Sequence, residues 1–470
     1  MRLLSIKIGP LDIYNLLPRT NCKECGESNC MAFAAKLLDR TTFTLDMCKP
    51  LFVEERYREN LNKLQEMLRP PVEEVTVGKG ENSVKIGGKL VLYRHELKLT
   101  NPTAIAIDVT DQMLESDLIE RVKTAESFNI ERIGEELKLN MIAIRSLSGE
   151  PSVFGKTVAN AIKTTRMPLI LCSLDTNVME AGLMEAKENN PLIYAATTEN
   201  WKEMGELALM YGCPIVVSSA NIENLRSIVN ALMKMGIQNI ILDPGSTLNN
   251  LSQTVNIFTQ IRKSALRQDD IIFGFPIMGI PLTVWSQKER RETSKWNEAC
   301  LASILMTRYA DMLIMHSLDV WSLLPLVTLR QNLYTDPRKP VAVDPGLREF
   351  GTPDENSPVA LTTNFSLTYF TVASDIESSR IDCYLLVADS EGLSVETAVA
   401  GRKLTAVKVA EILESSKIGD KVKHNKLIIP GRAARLSGEI EQVTGWEILV
   451  GPEDSSALAG MIKKRWNTAN

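Results

Sequence analysis

Eight short, strongly apolar runs recur between residues 104 and 317: AIAIDV, MIAIRSL, PLILCSL, PLIYAAT, PIVVSSA, NIILDPG, IIFGFPI and DMLIMHS. Each is of strand length, rich in β-branched residues and free of polar alternation, so each reads as a strand buried on both faces. Helical patterns such as WKEMGELALMYG and IENLRSIVNALMKMG separate them. Buried strands alternating with helices call for a parallel sheet, and eight of them over about 230 residues match a (β/α)8 TIM barrel. A doubly wound open sheet is the competing layout.

The 470 residues and their 44% apolar content suffice for about three domains with their own cores. Residues 1–60 form a small cysteine-bearing domain, and a helical passage from CKPLFVEERYRENLNKLQEMLRPP ends at Pro70-Pro71, where proline stops a helix. Residues 61–100 form a linker with hairpins around GKGENSV and KIGGKL, and 101–335 the barrel. The segment RQNLYTDPRKPVAVDPGLREFGTPDENSP reads as an interdomain crossing. Residues 340–470 carry a second α/β series, with PVALTTNFS, IDCYLLVAD, NKLIIPG and WEILVG as strands. That series is Rossmann-like or flavodoxin-like.

Charge removes several function classes. Lys plus Arg number 53 against 58 Asp plus Glu, a net charge of -5, so no basic field exists for nucleic acid or anionic lipid. Charged residues break every apolar run well short of the ~20 residues a membrane span needs. The chain reads as soluble and cytoplasmic. Cys22, Cys25, Cys30 and Cys48 fall within one short stretch, whereas Cys172, Cys213, Cys300 and Cys383 are scattered in apolar surroundings. This distribution points to one cluster site in a reducing compartment, not to a disulfide framework.

The spacing Cys22-x2-Cys25-x4-Cys30-x17-Cys48 lets one tight loop wrap three corners of a cubane while the next segment supplies the fourth thiolate of a [4Fe–4S] cluster. Gly26 offers the positive φ that such loops need, and Glu24, Glu27 and Asp46 add negative charge that favours a low potential. A structural zinc site is the alternative use of four thiolates.

Only His95, His316 and His424 are present, none in a nucleophile or zinc-helix signature, which argues against a Ser/His/Asp hydrolase. Polar residues gather at the expected C-terminal strand ends of the barrel: Asp108, Asp111, Asp175, Asn177, Glu199, Asn200, Asn221 and Asp243. They are either helix caps or the lining of a pocket for a pterin-like heterocycle. In the last domain the loops TTNFSLTYF, ADSEGLSVETA and GPEDSSALAG leave strand ends for helices. Such loops either cap those helices or hold an extended, phosphate-bearing cofactor.

Taken together, the four-cysteine unit, the eight apolar runs and the C-terminal TTNFSLTYF, EGLSVETA and WEILVGP resemble, over the whole chain, the large (gamma) subunits of corrinoid/iron–sulfur proteins of the acetyl-CoA decarbonylase/synthase system. The resemblance implies a methyltransferase subunit in which a corrinoid on the C-terminal domain accepts a methyl group from a methyl-tetrahydropterin and passes it to the nickel–iron–sulfur centre of acetyl-CoA synthase. It further implies a [4Fe–4S] cluster that reactivates oxidised cobalt, and a base-off corrinoid without a protein histidine below the metal. The implied partners are a small (delta) subunit in a heterodimer and the acetyl-CoA synthase and CO dehydrogenase subunits. The implied cluster ligands are Cys22, Cys25, Cys30 and Cys48, and the implied corrinoid contacts are Thr363, Asn364, Phe370, Ser394, Val395, Glu396, Thr397, Ser456 and Ala457, with Thr397 beneath the cobalt. One departure is visible: family members often have proline directly after the fourth cysteine, whereas Lys49 precedes Pro50 here.

Overall fold

The computed structural model describes residues 9–39, 44–287 and 289–466. They divide into two compact units, one within Met1–Asn129 and Lys138–Tyr334, the other within Ile130–Leu137 and Thr335–Asn470.

In the first unit an antiparallel hairpin, β1 (Glu74–Val77) and β2 (Val84–Gly87), precedes the barrel. Strand β3 (Ala104–Thr110) begins the barrel, and the short hairpin that comes next in sequence, β4 (Asn129–Arg132) and β5 (Glu135–Lys138), belongs almost wholly to the second unit. Then come β6 (Met141–Arg145), β7 (Leu169–Cys172), β8 (Leu192–Ala196), β9 (Ile215–Ser218), β10 (Ile240–Asp243), β11 (Met278–Gly279) and β12 (Met312–Met315). The eight-stranded parallel sheet runs β10-β9-β8-β7-β6-β3-β12-β11. A parallel bridge between Leu242 and Ile277, with Leu242 N donating to Pro276 O over 2.8 Å, brings its two edge strands together. The barrel therefore replaces the open-sheet alternative.

Seven of the apolar runs coincide with these strands, but IIFGFPI does not. Its strand is only Met278–Gly279, because Gly274 and Pro276 interrupt the run and proline donates no ladder hydrogen bond. Ile271 at its start is 69% exposed. The expected helix after Cys48 is also broken. Glu54 adopts an extended backbone between Lys49–Val53 and Arg58–Met67, and Leu51 and Leu64 from the two pieces reach the same small core.

Inside the barrel, alternate strand residues face the lumen. Ala104, Ala106, Met141, Ala143, Ile170, Val216, Ile241 and Met312 form its apolar layers, joined by Val75, Val77 and Ile86 of the β1–β2 hairpin. Two residues further along β3 and β6 to β10 the lumen-facing positions are Asp108, Arg145, Cys172, Tyr194, Ser218 and Asp243, whereas β12 stays apolar at Ile314. The carboxyl-end mouth is thus polar above a dry core.

The second unit holds a five-stranded sheet of β13 (Gly346–Phe350), β14 (Val359–Thr363), β15 (Cys383–Ala388), β16 (Lys426–Ile429) and β17 (Glu447–Val450), in the order β13-β15-β14-β16-β17. The last four strands are parallel in the order 2-1-3-4 counted from β14, and β13 is antiparallel at the edge. This is the flavodoxin-type order, which reverses between its first and third strands. Strand β13 lies in the segment expected to be an interdomain crossing. Its Pro- and Asp-rich flanks mask a five-residue strand whose Leu347 and Phe350 enter the two cores on opposite faces of the sheet.

Candidate functional site

The N-terminal loop is shaped for close wrapping. Asn21, Lys23 and Gly26 all have positive φ (50°, 66° and 85°), and Gly26 N donates to Lys23 O over 3.0 Å. Asn21 Oδ1 accepts from Cys30 N at 2.9 Å, which ties the loop to the start of helix Cys30–Asp39. Cys48 lies just before helix Lys49–Val53. Cys30 and Cys48 are buried with Phe33, Leu37, Leu51 and Leu64, Cys25 packs against them, and Cys22 is exposed.

Burial pushes the Cys48 thiol up, and the neighbouring thiols of Cys30, Cys22 and Cys25 push it further. Four sulfurs this near one another are a donor set whose thiolate charge a soft cation or cluster would relieve. Their chemistry fits either group expected from the spacing. Among the described residues no group of three or more His, Cys, Asp or Glu is closed up enough to hold a metal ion. The charge expected around this loop is partly neutralised, since Glu27 is paired with Lys36.

At the carboxyl end of the second sheet a cavity of about 420 Å³ opens where the strand order reverses, between β14 and β16. Its walls include Thr362, Thr371, Ser394, Val395, Glu396, Pro430, Arg432 and Asp454. Thr362 Oγ1 is buried without a hydrogen-bond partner. Glu396 and Arg432 form an exposed 2.8 Å ion pair at the rim.

The nine residues assigned to the corrinoid by resemblance separate here. Ser394, Val395 and Glu396 line the cavity. Thr397 is exposed on the first turn of helix Val395–Ala400, and its Oγ1 accepts from Ser394 Oγ at 3.1 Å. Ser456 and Ala457 are exposed on a turn beside Asp454, which accepts from Ser456 N at 3.0 Å. Phe370 packs its ring edge against Gly134.

Asn364 is buried and its amide is spent internally. Its Oδ1 accepts from Ser390 N, Ser390 Oγ and Gly392 N at 2.9–3.0 Å, and its Nδ2 donates to Asp389 at 3.1 Å. It positions the loop leading to Ser394. Thr363 is buried on the strand face opposite Thr362. The resemblance names Thr363, whereas the neighbouring Thr362 lines the cavity; β14 is buried along its whole length, so no polar alternation in the sequence marks its cavity face. Arg432, in NKLIIPGR, lines the cavity too and is not among the residues expected from the sequence. Its signal was its position just past a strand end.

In the barrel mouth most of the polar residues are occupied. Asp175 and Asn221 cap helices through the Asn177 and Val178 amides and the Glu223 and Asn224 amides. Asn200 bonds Thr197, Leu174 and Ala195, while Glu199 and Asn177 are not fully buried. Asp111 accepts from Ser146, Leu147 and Ser148. Burial would raise Asp108, but His316, Arg121 and Arg145 hold it below the usual carboxylate range. Asp243 lines an open cavity of about 430 Å³. Burial pushes its carboxyl up despite hydrogen bonds from Ser218 (2.8 Å), Gly245 N (3.0 Å) and Tyr194 (2.9 Å).

Comparisons with known proteins bear on both ends of the chain. Residues 74–462 match the family model described as CO dehydrogenase/acetyl-CoA synthase delta subunit, and residues 17–50 match the one described as "Putative Fe-S cluster". The latter favours an iron–sulfur cofactor over zinc for the cysteine loop. The acetyl-CoA decarbonylase/synthase complex subunit gamma of Methanothermobacter thermautotrophicus is 44% identical over 98% of this chain and 99% of its own. Subunit gamma 2 of Methanosarcina thermophila is 45% identical over 97% and 98%. Among solved structures, dihydropteroate synthase from Xanthomonas albilineans is similar at a TM-score of 0.39 and 13% identity, covering 50% of this chain and 95% of that one. No helix among the described residues is long and apolar enough to cross a membrane.

Proposed function

The chain belongs to the acetyl-CoA decarbonylase/synthase gamma-subunit family, and from that premise we propose that it is the corrinoid and [4Fe–4S] methyl-carrier subunit of such a complex. In this reading Cys22, Cys25, Cys30 and Cys48 hold the cluster, and the cavity between β14 and β16 receives the corrinoid. When bound, the corrinoid supplies a cobalt that takes and gives up a methyl group, and the cluster supplies the electron that returns oxidised cobalt to service.

The protein's own contribution is positional. Asn364 fixes the 389–392 loop, which sets Ser394, Val395 and Glu396 along one wall. Thr397, small and on the same turn, is the side chain that would face a bound corrinoid's metal, and its hydroxyl would offer no strong ligand. The described residues lining the cavity include no histidine, which suits a base-off corrinoid. Thr362 Oγ1, buried and unpaired, gains a polar partner when the cavity is filled.

A corrinoid is larger than a cavity of about 420 Å³, so part of it remains exposed. That exposed part would be open to a delta subunit, to the methyl-tetrahydropterin donor and to the acetyl-CoA synthase centre. The transfer makes the complex a methyl-tetrahydropterin:corrinoid/iron–sulfur protein Co-methyltransferase, working in the cytoplasm.

The observation that carries the reading is a cavity at the strand-order reversal whose wall contains Ser394, Val395 and Glu396. The test is iron and cobalt analysis with visible absorbance on anaerobically purified full-length protein reconstituted with a cobamide. About four irons and about one cobalt per chain, with a base-off spectrum, are expected. Zinc in place of iron, or a cobamide that washes out in the presence of the delta subunit, overturns it.

A further inference from the structure

At the opposite, amino-terminal end of the barrel a second cavity, of about 260 Å³, is lined by Lys89, Arg94, Arg262, Arg308, Asp311 and the aromatic rings of Tyr93, Tyr309 and Tyr334, among others. Arg262 comes from helix Leu251–Arg267 and is 2% exposed. One guanidinium nitrogen, Nη2, reaches Tyr309 O at 3.0 Å and the Asp311 carboxylate. Its Nε and Nη1 are buried with no hydrogen-bond partner.

Lys89 is also buried. Its ammonium donates to Asn101 O at 2.7 Å and to Tyr334 Oη at 3.0 Å, and stands 3.6 Å from Asp311 Oδ1. Two buried cations thus share one carboxylate. A buried guanidinium with idle N–H groups is costly unless something accepts from them and offsets the surplus charge.

We propose that this cavity binds a small organic anion, its carboxylate or phosphate oxygens accepting from Arg262 Nε and Nη1 and its apolar body lying against Leu99, Met306 and the tyrosine rings. The exposed Arg308 at the rim adds a further positive charge toward an incoming anion. A nucleic acid or a lipid surface does not suit a recess of this size between two short segments. The site is separate from the cysteine loop and from the cavity of the C-terminal unit, so its failure leaves the methyl-carrier reading intact.

The probes are benzoate and phenyl phosphate, with neutral benzyl alcohol as the control, titrated calorimetrically into the full-length protein. Saturable binding of at least one anion and none of the alcohol is expected. Phenyl phosphate over benzoate identifies a phosphate ligand, and the reverse a carboxylate. Arg308→Glu, an exposed change that spares the buried pair, is expected to weaken anion binding about tenfold, and Leu333→Trp at the mouth to abolish it with the unfolding transition unchanged. Equal binding of alcohol and anions, no saturable binding of either anion, or affinity unaffected by both substitutions overturns the proposal and leaves water as the occupant.

Discussion

His316 Nδ1 lies 2.6 Å from Asp108 Oδ1, tying the residue that follows β12 to the middle of β3 across neighbouring strands of the barrel. Asp108 is fully buried and also receives Arg145 at 2.8 Å and Arg121 at 3.2 Å. A carboxylate only accepts, so the imidazole proton sits on Nδ1.

Asp108→Asn leaves two guanidiniums facing a neutral amide, and the barrel is expected to lose about 3–5 kcal/mol. Urea unfolding followed by circular dichroism measures it. The wild-type contribution has a defined pH sense. The folded carboxyl is depressed, so its stabilisation is complete above the ordinary Asp value of about 3.9 and disappears as pH falls through the lower folded value. The variant is expected to lack that acid-side loss.

Asp243 behaves in the opposite sense. Burial raises its folded pKa, so its contribution is most favourable below about pH 4 and declines as pH rises through the raised value. Asp243→Asn is expected to flatten the fall of the urea midpoint as pH rises above about 4. An unchanged slope would mean that burial does not raise the carboxyl against its three hydrogen bonds.

Among the cysteines, Cys30→Ser or Cys48→Ser is expected to strip iron and visible absorbance from anaerobically purified protein. Cys383→Ser is the control, because that thiol is buried in the second core and pushed up to about 12, where it takes no part in metal binding. Equal iron in all three proteins would count against the four-thiolate site.

Filling the C-terminal cavity separates ligand binding from stability. Thr371 is exposed on its wall, and Thr371→Trp is expected to cut cobamide retention by about tenfold or more while leaving the melting temperature close to wild type. Retention at the wild-type level would move the corrinoid elsewhere.

Asn364→Ala tests positioning. Four hydrogen bonds to residues 389–392 are lost, and about 2–3 kcal/mol of stability with them. Asn364→Asp keeps the acceptor oxygen for the Ser390 and Gly392 amides and is expected to recover part of both stability and cobamide retention. Failure of Asp to rescue either would assign the effect to the donated bond to Asp389.

The strands of the barrel and of the C-terminal sheet were legible in the sequence because burial on both faces demands continuous apolar runs, whatever their distant neighbours. The cysteine spacing was legible because a wrapping loop is a local object. The exceptions are instructive. IIFGFPI lost most of its strand to Gly274 and Pro276, and the GLREF strand was hidden between turn-forming flanks.

The tertiary structure alone decided which polar groups are free. Asp175, Asn221 and Asp243 look alike in sequence at their strand ends, yet the first two are consumed by adjacent helix amides, whereas Asp243 faces a cavity with Tyr194, 49 positions away. His316 and Asp108 are 208 positions apart, and Arg262 meets Asp311 across 49. Secondary structure follows from the period of burial along a short stretch of chain. Hydrogen-bond satisfaction and charge pairing depend on side chains that only folding brings within about 3 Å of one another.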